Sequence, residues 1–156
     1  QDVDSILVDL KDPTSFESAM VVPALLSTDG NATCDFGAIT GNYYIAISSR
    51  NSLLTWSSEP VNIVNGTNFY DFTTESTAAY GNNLKEVEPG IWAFYSGDLN
   101  ADENLDLLDI GAVETDINNF QFGNFPTDVN GDGNVDLLDT PALEANIGNF
   151  IFSNHP

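Results

Sequence analysis

Two twelve-residue stretches of the chain place oxygen-bearing side chains at regular intervals. "DLNADENLDLLD" spans 98–109 and "DVNGDGNVDLLD" spans 128–139. In both, positions 1, 3, 5, 9 and 12 are Asp or Asn, and position 7 is an Asn that would contribute its backbone carbonyl. The pattern predicts two metal-binding loops. The predicted ligands are Asp98, Asn100, Asp102, Asn104, Asp106, Asp109, Asp128, Asn130, Asp132, Asn134, Asp136 and Asp139.

The donor set indicates which metal the loops would take. Every side-chain ligand is an oxygen, and neither loop contains Cys or His, which excludes zinc and copper sites. Calcium accepts about six to eight oxygens in a flexible shell, whereas magnesium prefers a rigid octahedron that retains several waters. We therefore predict two calcium ions, one in each loop, with a structural role.

The alternative is a pair of polar loops that bind nothing. Against it, eight aspartates in two small loops would repel one another strongly without cations. Two calcium ions would change the net charge of the chain from −21 to −17. Folding of residues 97–156 is therefore expected to be coupled to metal binding.

The two loops differ at position 6, where the backbone has to turn sharply. Gly133 suits that turn, whereas Glu103 carries a side chain where a positive φ is preferred. We therefore expect the first site to be strained or weaker than the second. In both loops position 12 is Asp instead of the longer Glu of an EF-hand, which predicts a loop followed by a helix but not preceded by one.

The loops belong to a duplicated segment that must position them. Residues 97–126 and 127–156 align without a gap, and sixteen of thirty positions are identical. After "DLLD", Ile110, Val113, Ile117 and Phe120 form an apolar stripe at helical spacing, and Leu143, Ile147 and Phe150 do so in the second copy. Each repeat is thus predicted to be a loop followed by a helix.

The preceding part of the chain has the pattern of an all-β domain. The segments "SILVDL", "YYIAISS", "PVNIV", "NFYDF" and "GIWAFY" are short, rich in β-branched and aromatic residues, and separated by turn sequences. Strands at this spacing predict an antiparallel β-sandwich. We therefore divide the chain into a β-sandwich domain, 1–96, and a loop–helix domain, 97–156.

The composition limits the classes of partner. The chain carries 24 acidic and three basic residues, so it would repel nucleic acid and anionic membranes. No apolar run is long enough to span a bilayer. The beginning "QDVDSILVDL" is typical of a mature secreted protein, so an extracellular or cell-surface location is expected. Cys34 is the single cysteine and can form no internal disulfide.

The duplicated loops resemble the dockerin module. That resemblance covers residues 97–156 and implies two calcium sites in F-hand loops, a small α module, no catalysis, and a protein–protein role such as docking a cohesin domain. Where dockerins carry polar recognition residues, this chain has Leu107-Leu108 and Leu137-Leu138. These leucines are expected to pack against a neighbouring domain or another subunit.

The upstream part resembles a C-terminal region of secreted and cell-surface bacterial proteins. The resembling segments are "YYIAISSRNSLLTWSSEPVNI", "YDFTTESTAAYGNN" and "GIWAFYSGDLN". The resemblance implies a prealbumin-like or fibronectin-III-like sandwich before dockerin-like repeats. In that family another strand usually precedes the segment matching "SILVDL". A sandwich lacking that strand would have an open edge that accepts a strand from a neighbour, and such contacts could build a fibre.

Other residues were considered for chemistry. His155 is the only histidine and has no catalytic partner in the sequence, and Cys34 has no histidine near it. Glu86 and Glu88 could in principle serve a glycosidase, but no cleft is indicated. The aromatic residues, among them Trp56 and Trp92, could form a carbohydrate-binding platform, although strand aromatics more often fill cores.

Three residues are candidate glycan acceptors. Asn31 and Asn65 begin N-x-Thr sequons, and Asp4-Ser5-Ile6 fits an O-glycosylation pattern that includes Ser5.

The sequence as a whole predicts a non-enzymatic, calcium-stabilised extracellular structural protein. The leading hypothesis is a surface or fibre-forming subunit that assembles with other protein subunits through β-strand complementation or dockerin-like contacts. The alternatives are a recognition module that docks a cohesin-like partner and a carbohydrate-binding module.

Overall fold

The computed structural model describes residues 2–123 and 125–156, and the chain divides into two compact units. Unit 1 contains the chain up to Ser49, together with Leu54–Phe94 and Asn154–Pro156. Unit 2 contains Arg50–Leu53 and Tyr95–Ser153. In the described ranges, no helix has both the length and the apolar character needed to cross a membrane.

Unit 1 is built on one antiparallel sheet of five strands. The strands are β1 Asp2–Lys11, β2 Ser18–Ser27, β3 Gly41–Ser49, β4 Thr55–Trp56 and β5 Val61–Ile63. The strand order is β2-β1-β3-β4, and β5 also pairs with β3. The interior strand β1 pairs with β2 on one side and with β3 on the other.

Alternation along β1 explains how this sheet buries a core. Ile6, Val8 and Leu10 are buried, whereas the alternate residues Ser5 and Leu7 are exposed, because successive side chains of a strand point to opposite faces. Ile6 and Val8 pack with Ala24 and Ile47 into the larger core cluster of the unit. A second cluster, formed by Tyr44, Ala46 and Trp56, involves residues of β3 and β4.

The remainder of unit 1 is short elements and turns. Two 3-10 turns, Ser76–Ala78 and Tyr80–Asn82, precede a hairpin of β6, Lys85–Glu88, and β7, Ile91–Ala93.

Unit 2 contains both α-helices found among the described residues, α1 Leu107–Asn118 and α2 Thr140–Gly148. The N-cap of α1 is Asp106, whose side chain accepts a hydrogen bond from the Leu108 N–H, while Asp109 bonds back to the Asp106 N–H in a capping box. Pro141 lies in the first turn of α2, where its missing N–H costs little. The core of the unit is a small cluster of Val113, Val135 and Leu143.

The predicted fold class is wrong. We expected a prealbumin-like or fibronectin-III-like sandwich over 1–96 followed by a small α module of two loop–helix units. The structure is a small, strand-rich fold with only two short helices, and a dockerin-like helix pair is not evident in residues 97–123 and 125–156. Within the described ranges, the strands form one five-stranded sheet and a separate two-stranded hairpin.

Local side-chain hydrogen bonds explain part of the failed sandwich prediction. The segment "NFYDF", expected to be a strand, is a loop. The side-chain amide of Asn68 exchanges two hydrogen bonds with the backbone of Val64, at 3.0 and 2.9 Å. The Tyr70 hydroxyl donates to the Ala78 carbonyl at 2.5 Å, and the Asp71 carboxylate accepts from the Thr73 N–H at 2.7 Å. Such bonds offer the backbone an alternative to a strand ladder.

The two helices also differ in extent from the predicted loop–helix module. They have twelve and nine residues, and α2 begins only at Thr140, after Leu137 and Leu138 have formed a turn. Much of each repeat is therefore loop, turn or isolated bridge.

Candidate functional site

The two acidic loops, loop 1 (98–109) and loop 2 (128–139), both lie in unit 2 and have matching environments. The sequence of buried, half-buried and exposed residues in loop 1 repeats without a change in loop 2. The same spacing of residue types is therefore buried in the same pattern twice, although the helix begins at position 10 in loop 1 and only after position 12 in loop 2. This match singles out the loops as the candidate functional site.

Each loop is paired to the segment that follows the helix of the other repeat. The Leu105 N–H in loop 1 donates to the Ile151 carbonyl at 3.0 Å. The equivalent Val135 N–H in loop 2 donates to the Gln121 carbonyl at 3.3 Å. This reciprocal pairing joins the loops into one structural element. Two isolated bridges mark it, Asn104 with Phe152 and Phe122 with Asn134.

The first and last aspartates of each loop are buried. Their exposed fractions are 5% for Asp98, 0% for Asp109, 3% for Asp128 and 1% for Asp139. Aspartate is almost never fully buried unless its charge is balanced or hydrogen-bonded. Four buried carboxylates in one small unit therefore require an explanation.

Backbone N–H groups supply part of that explanation for the last aspartate of each loop. One oxygen of Asp109 accepts from the Leu99 N–H at 2.8 Å and from the Asn100 N–H at 3.4 Å, and the other accepts from the Asp106 N–H at 2.9 Å. Asp139 repeats these three contacts in loop 2. The carboxylate at position 12 thus closes the loop onto the start of the helix.

The first aspartate of each loop also accepts from the loop backbone. Asp98 accepts from the N–H groups of Asp102 and Glu103, both at 3.2 Å. In loop 2, Asp128 accepts from Gly131 at 2.9 Å and from Gly133 at 3.1 Å. Both loops therefore wind around the carboxylate at position 1.

The charges within loop 1 oppose one another. Burial raises the pKa of Asp98 above its ordinary value, and the charges of Asp109 and Asp102 raise it further, although the N–H groups of Glu103 and Asp102 act in the opposite direction. In the second loop the exposed Asp132 has a lowered pKa, chiefly because its carboxylate accepts from the Asn134 N–H. The ionised form of Asp98 is thus disfavoured where it lies.

The remaining predicted ligands lie at the solvent side of each loop. Asn100, Asp102 and Asn104 are exposed and Asp106 is half-buried, and their counterparts in loop 2 have the same exposure. The Asn104 N–H donates to Asp102 at 3.0 Å, which holds position 5 against position 7. The counterparts are Asn130, Asp132, Asn134 and Asp136.

The donor chemistry of the loops fits calcium. Unit 2 contains twelve Asp and Glu residues and one basic residue, Arg50, whose guanidinium donates to the Phe125 carbonyl. In the part of the chain that the structure describes, however, no three His, Cys, Asp or Glu side chains are gathered in an arrangement that could hold a metal ion. Backbone N–H groups donate to the carboxylates at positions 1 and 12 of both loops. Amide and carbonyl oxygens would have to complete any calcium shell.

Backbone strain distinguishes loop 1 from loop 2. At position 6, Glu103 has φ of 68° and Gly133 has φ of 87°. Position 4 behaves in the same way, with φ of 58° at Ala101 and 76° at Gly131. Left-handed backbone is unfavourable for a residue with a Cβ. Loop 1 therefore carries two strained residues where loop 2 has glycines, and only Glu103 was anticipated from the sequence.

The other sequence candidates lie outside these loops or at their margins. The leucines at positions 10 and 11 of both loops are exposed at 67–74%. The carboxylate of Glu86 accepts from the Gly90 N–H at 2.9 Å within the hairpin. Cys34 is half-buried against the core of unit 1, and burial raises the pKa of its thiol. The four leucines are Leu107, Leu108, Leu137 and Leu138.

Trp56 does not present its ring face to solvent. It is 4% exposed, the ring of His155 stacks on it at 5.4 Å between centroids, and the Lys11 ammonium lies 5.7 Å from its centroid. Trp92 is half-buried in β7. Trp56 is therefore part of a core and offers no platform for a sugar.

The candidate glycan acceptors Asn31, Asn65 and Ser5 are all exposed. Asn65 lies at the tip of the loop that Asn68 closes, and Ser5 lies on β1.

Comparisons with known proteins identify no relative. No family model matches the sequence, and no curated protein and no solved structure matches it.

Sequence reasoning missed one feature of the site and misplaced another. It missed the strain at Ala101, which comparison with Gly131 could have revealed. It was wrong about Phe120 and Phe150, which were assigned to the apolar stripes of the two helices. They lie beyond the helix ends with φ of 53° and 55°, and their side chains are exposed.

Proposed function

We propose that this chain is a non-enzymatic structural protein of the cell exterior, in which two calcium ions stabilise unit 2 and which assembles with other protein subunits. The observation that carries the proposal is the set of four buried aspartates, Asp98, Asp109, Asp128 and Asp139, in a unit with a single basic residue. The exposed sequons at Asn31 and Asn65 are compatible with an exported protein.

Electrostatics favours a cation in each loop. Each loop contains four aspartates, two of them buried, and backbone N–H groups supply hydrogen bonds but no net positive charge. Burying ionised carboxylates without a countercharge is costly, and like charges at short range add to that cost. A divalent cation at each loop would offset both terms, and its oxygen shell matches the residue types present.

Residues at different positions of each loop would contact the calcium ion from different sides. The buried aspartates at positions 1 and 12 would bind the ion from the protein side. The side chains at positions 3 and 5 would bind it from the solvent side, and the residue at position 7 would bind it through its backbone carbonyl. The ion would supply charge neutralisation and a cross-link between the loop and the following helix. We propose a structural role for the ion.

Reciprocal pairing extends the effect of calcium across unit 2. Because loop 1 bonds to the segment after α2, and loop 2 to the segment after α1, ordering either loop also restrains the other repeat. Calcium that binds only the folded unit stabilises it by RT ln(1 + [Ca²⁺]/Kd), about 2.7 kcal/mol per site at a hundred times Kd. This linkage makes unfolding of unit 2 the natural readout.

Thermal unfolding with calcium and with a chelator tests the proposal. Millimolar calcium should raise the melting temperature of unit 2, and a chelator should lower it. Asp109→Asn and Asp139→Asn should each reduce the calcium-dependent shift. Glu114→Gln and Glu144→Gln are matched controls, since these exposed helix residues occupy equivalent positions of the repeats. A native chain whose melting is the same with calcium and with chelator would refute the proposal, whether or not the Asn variants fold.

A second candidate is a recognition module for a protein partner. It is favoured by the four exposed leucines at positions 10 and 11 of the loops. Large exposed apolar side chains at repeated positions indicate an interaction site more than chance exposure does. Substituting Leu107 and Leu137 by Ser should then abolish binding to the partner and leave calcium-dependent melting unchanged.

A further inference from the structure

The longest free sheet edge among the described residues belongs to β2, Ser18–Ser27. β2 is a terminal strand of the sheet, and apart from the isolated bridge between Leu26 and Ala32 nothing in the described ranges pairs with its outer side. The sequence predicted an open edge beside "SILVDL", but that segment is β1, which is paired on both sides. The unpaired edge therefore belongs to β2 and not to β1.

The side chains of β2 are also suited to contact with protein. Val21 and Leu25 are exposed on one face of the sheet, next to exposed Leu7, and Met20 is exposed on the other face. An unpaired strand edge flanked by exposed apolar side chains is a template for another strand. Pro23 has no N–H, so the hydrogen-bond ladders along β2 lack one donor at that position.

The absence of charge on β2 indicates which kind of partner could pair with it. The segment "SAMVVPALLS" contains no charged residue, although the chain carries a net charge of −21. Asp9, whose register partner is Val21, is already paired with Lys11 at 2.8 Å. Along Ser18–Ser27 itself, two copies could therefore meet without opposed carboxylates, which like-charged chains need, and the nearest flanking acids are Glu17 and Asp29. The strand offers a basic partner no carboxylate to pair with.

The remaining edges in unit 1 cannot serve as the complementary strand. β4 and β5 contain two and three residues. The hairpin strand β6 has four residues and carries Lys85, Glu86 and Glu88. Among the described strands, only β2 offers a second copy an uncharged edge of comparable length.

We propose that β2 pairs with β2 of a second copy, antiparallel across a two-fold axis, and joins the two five-stranded sheets into one. Such an interface is isologous, because each copy contributes the same surface. The inference rests on the proposed role in assembly and names the partner as the chain itself. It does not depend on calcium, so the two proposals can fail separately.

Sedimentation of the native chain in calcium at physiological salt tests the pairing. The native chain is expected to form a dimer. Val21→Lys should raise the dimer dissociation constant at least about a hundredfold, because each dimer then brings two lysines to the shared edge. Val64→Lys is the matched control and should leave the dimer intact, since Val64 is 48% exposed and Val21 is 49% exposed, and both substitutions change the charge equally.

Cysteine cross-linking distinguishes the two-fold arrangement from other assemblies. In a Cys34→Ser background, single cysteines at Met20, Val21 and Val22 should include at least one that links two copies through the same residue. A native chain that stays monomeric, forms head-to-tail polymers, or keeps its dimer in Val21→Lys would overturn the inference. Those outcomes leave the calcium-dependent melting of unit 2 as an independent result.

Discussion

Replacing Ala101 by glycine should stabilise unit 2. Ala101 has φ of 58°, and Gly131 occupies the equivalent position of loop 2. Left-handed backbone costs a residue with a Cβ about 1–2 kcal/mol, and glycine removes that cost. Glycine also makes the unfolded chain more flexible, which lowers the free energy of unfolding by roughly 0.4–1 kcal/mol. The expected net gain in the free energy of unfolding is about 0.5–1 kcal/mol.

The reverse substitution in loop 2 provides the control. A Cβ added at Gly131 or at Gly133 would meet no atom within 4 Å, so the effect of alanine there is conformational and not steric. Gly131→Ala should therefore lower the free energy of unfolding by about 0.5–1 kcal/mol, which is equal in size and opposite in sign to the effect of Ala101→Gly. Glu103→Gly is a less clean test because its side chain is also removed.

Urea denaturation with and without calcium measures both changes. In a domain of 60–100 residues, 1 kcal/mol corresponds to about 4–8 °C in melting temperature, so scanning calorimetry gives a second readout. If Ala101→Gly destabilised unit 2 while Gly131→Ala did not, the assignment of backbone strain to loop 1 would be refuted.

Three further substitutions test other parts of the structure. Gly97→Ala should destabilise unit 2 by about 2 kcal/mol or more in calorimetry, since φ is 118° and the new Cβ would lie 2.5 Å from Leu143. Tyr70→Phe should cost about 1 kcal/mol in urea, because its hydroxyl donates to Ala78. Asp12 has a lowered pKa because it accepts from backbone N–H groups, so Asp12→Ala should destabilise at neutral pH, and the difference should disappear as the pH falls below about 4 in pH-dependent melts.

Much of the local structure of the site followed from the sequence, because its causes are local. The duplication from 97 to 156 exposed the spacing of the aspartates, and the structure gives both loops the same burial pattern. The turn at position 6 could be anticipated because Gly133 and Glu103 occupy equivalent positions. Whether the loops hold calcium is a separate matter and stays a prediction.

The arrangement of the strands did not follow from the sequence, because strand pairing is non-local. Alternation in "SILVDL" indicates a strand but not its neighbours, and β1 proved to be central instead of next to the open edge. "NFYDF" has strand-forming residues, yet Asn68 and Tyr70 hold that segment in a loop through contacts with Val64 and Ala78. The pairing of each loop with the other repeat could not be predicted either, because it joins segments that are far apart in the sequence.

Calcium stoichiometry tests the central claim most directly. Native mass spectrometry of the full chain, supported by isothermal titration calorimetry, should show two calcium ions bound per chain. Asp109→Asn and Asp139→Asn should each retain one ion, and Glu114→Gln should retain both. A native chain that binds no calcium at millimolar concentration would contradict the account, and so would binding that survives in the double variant of Asp109 and Asp139.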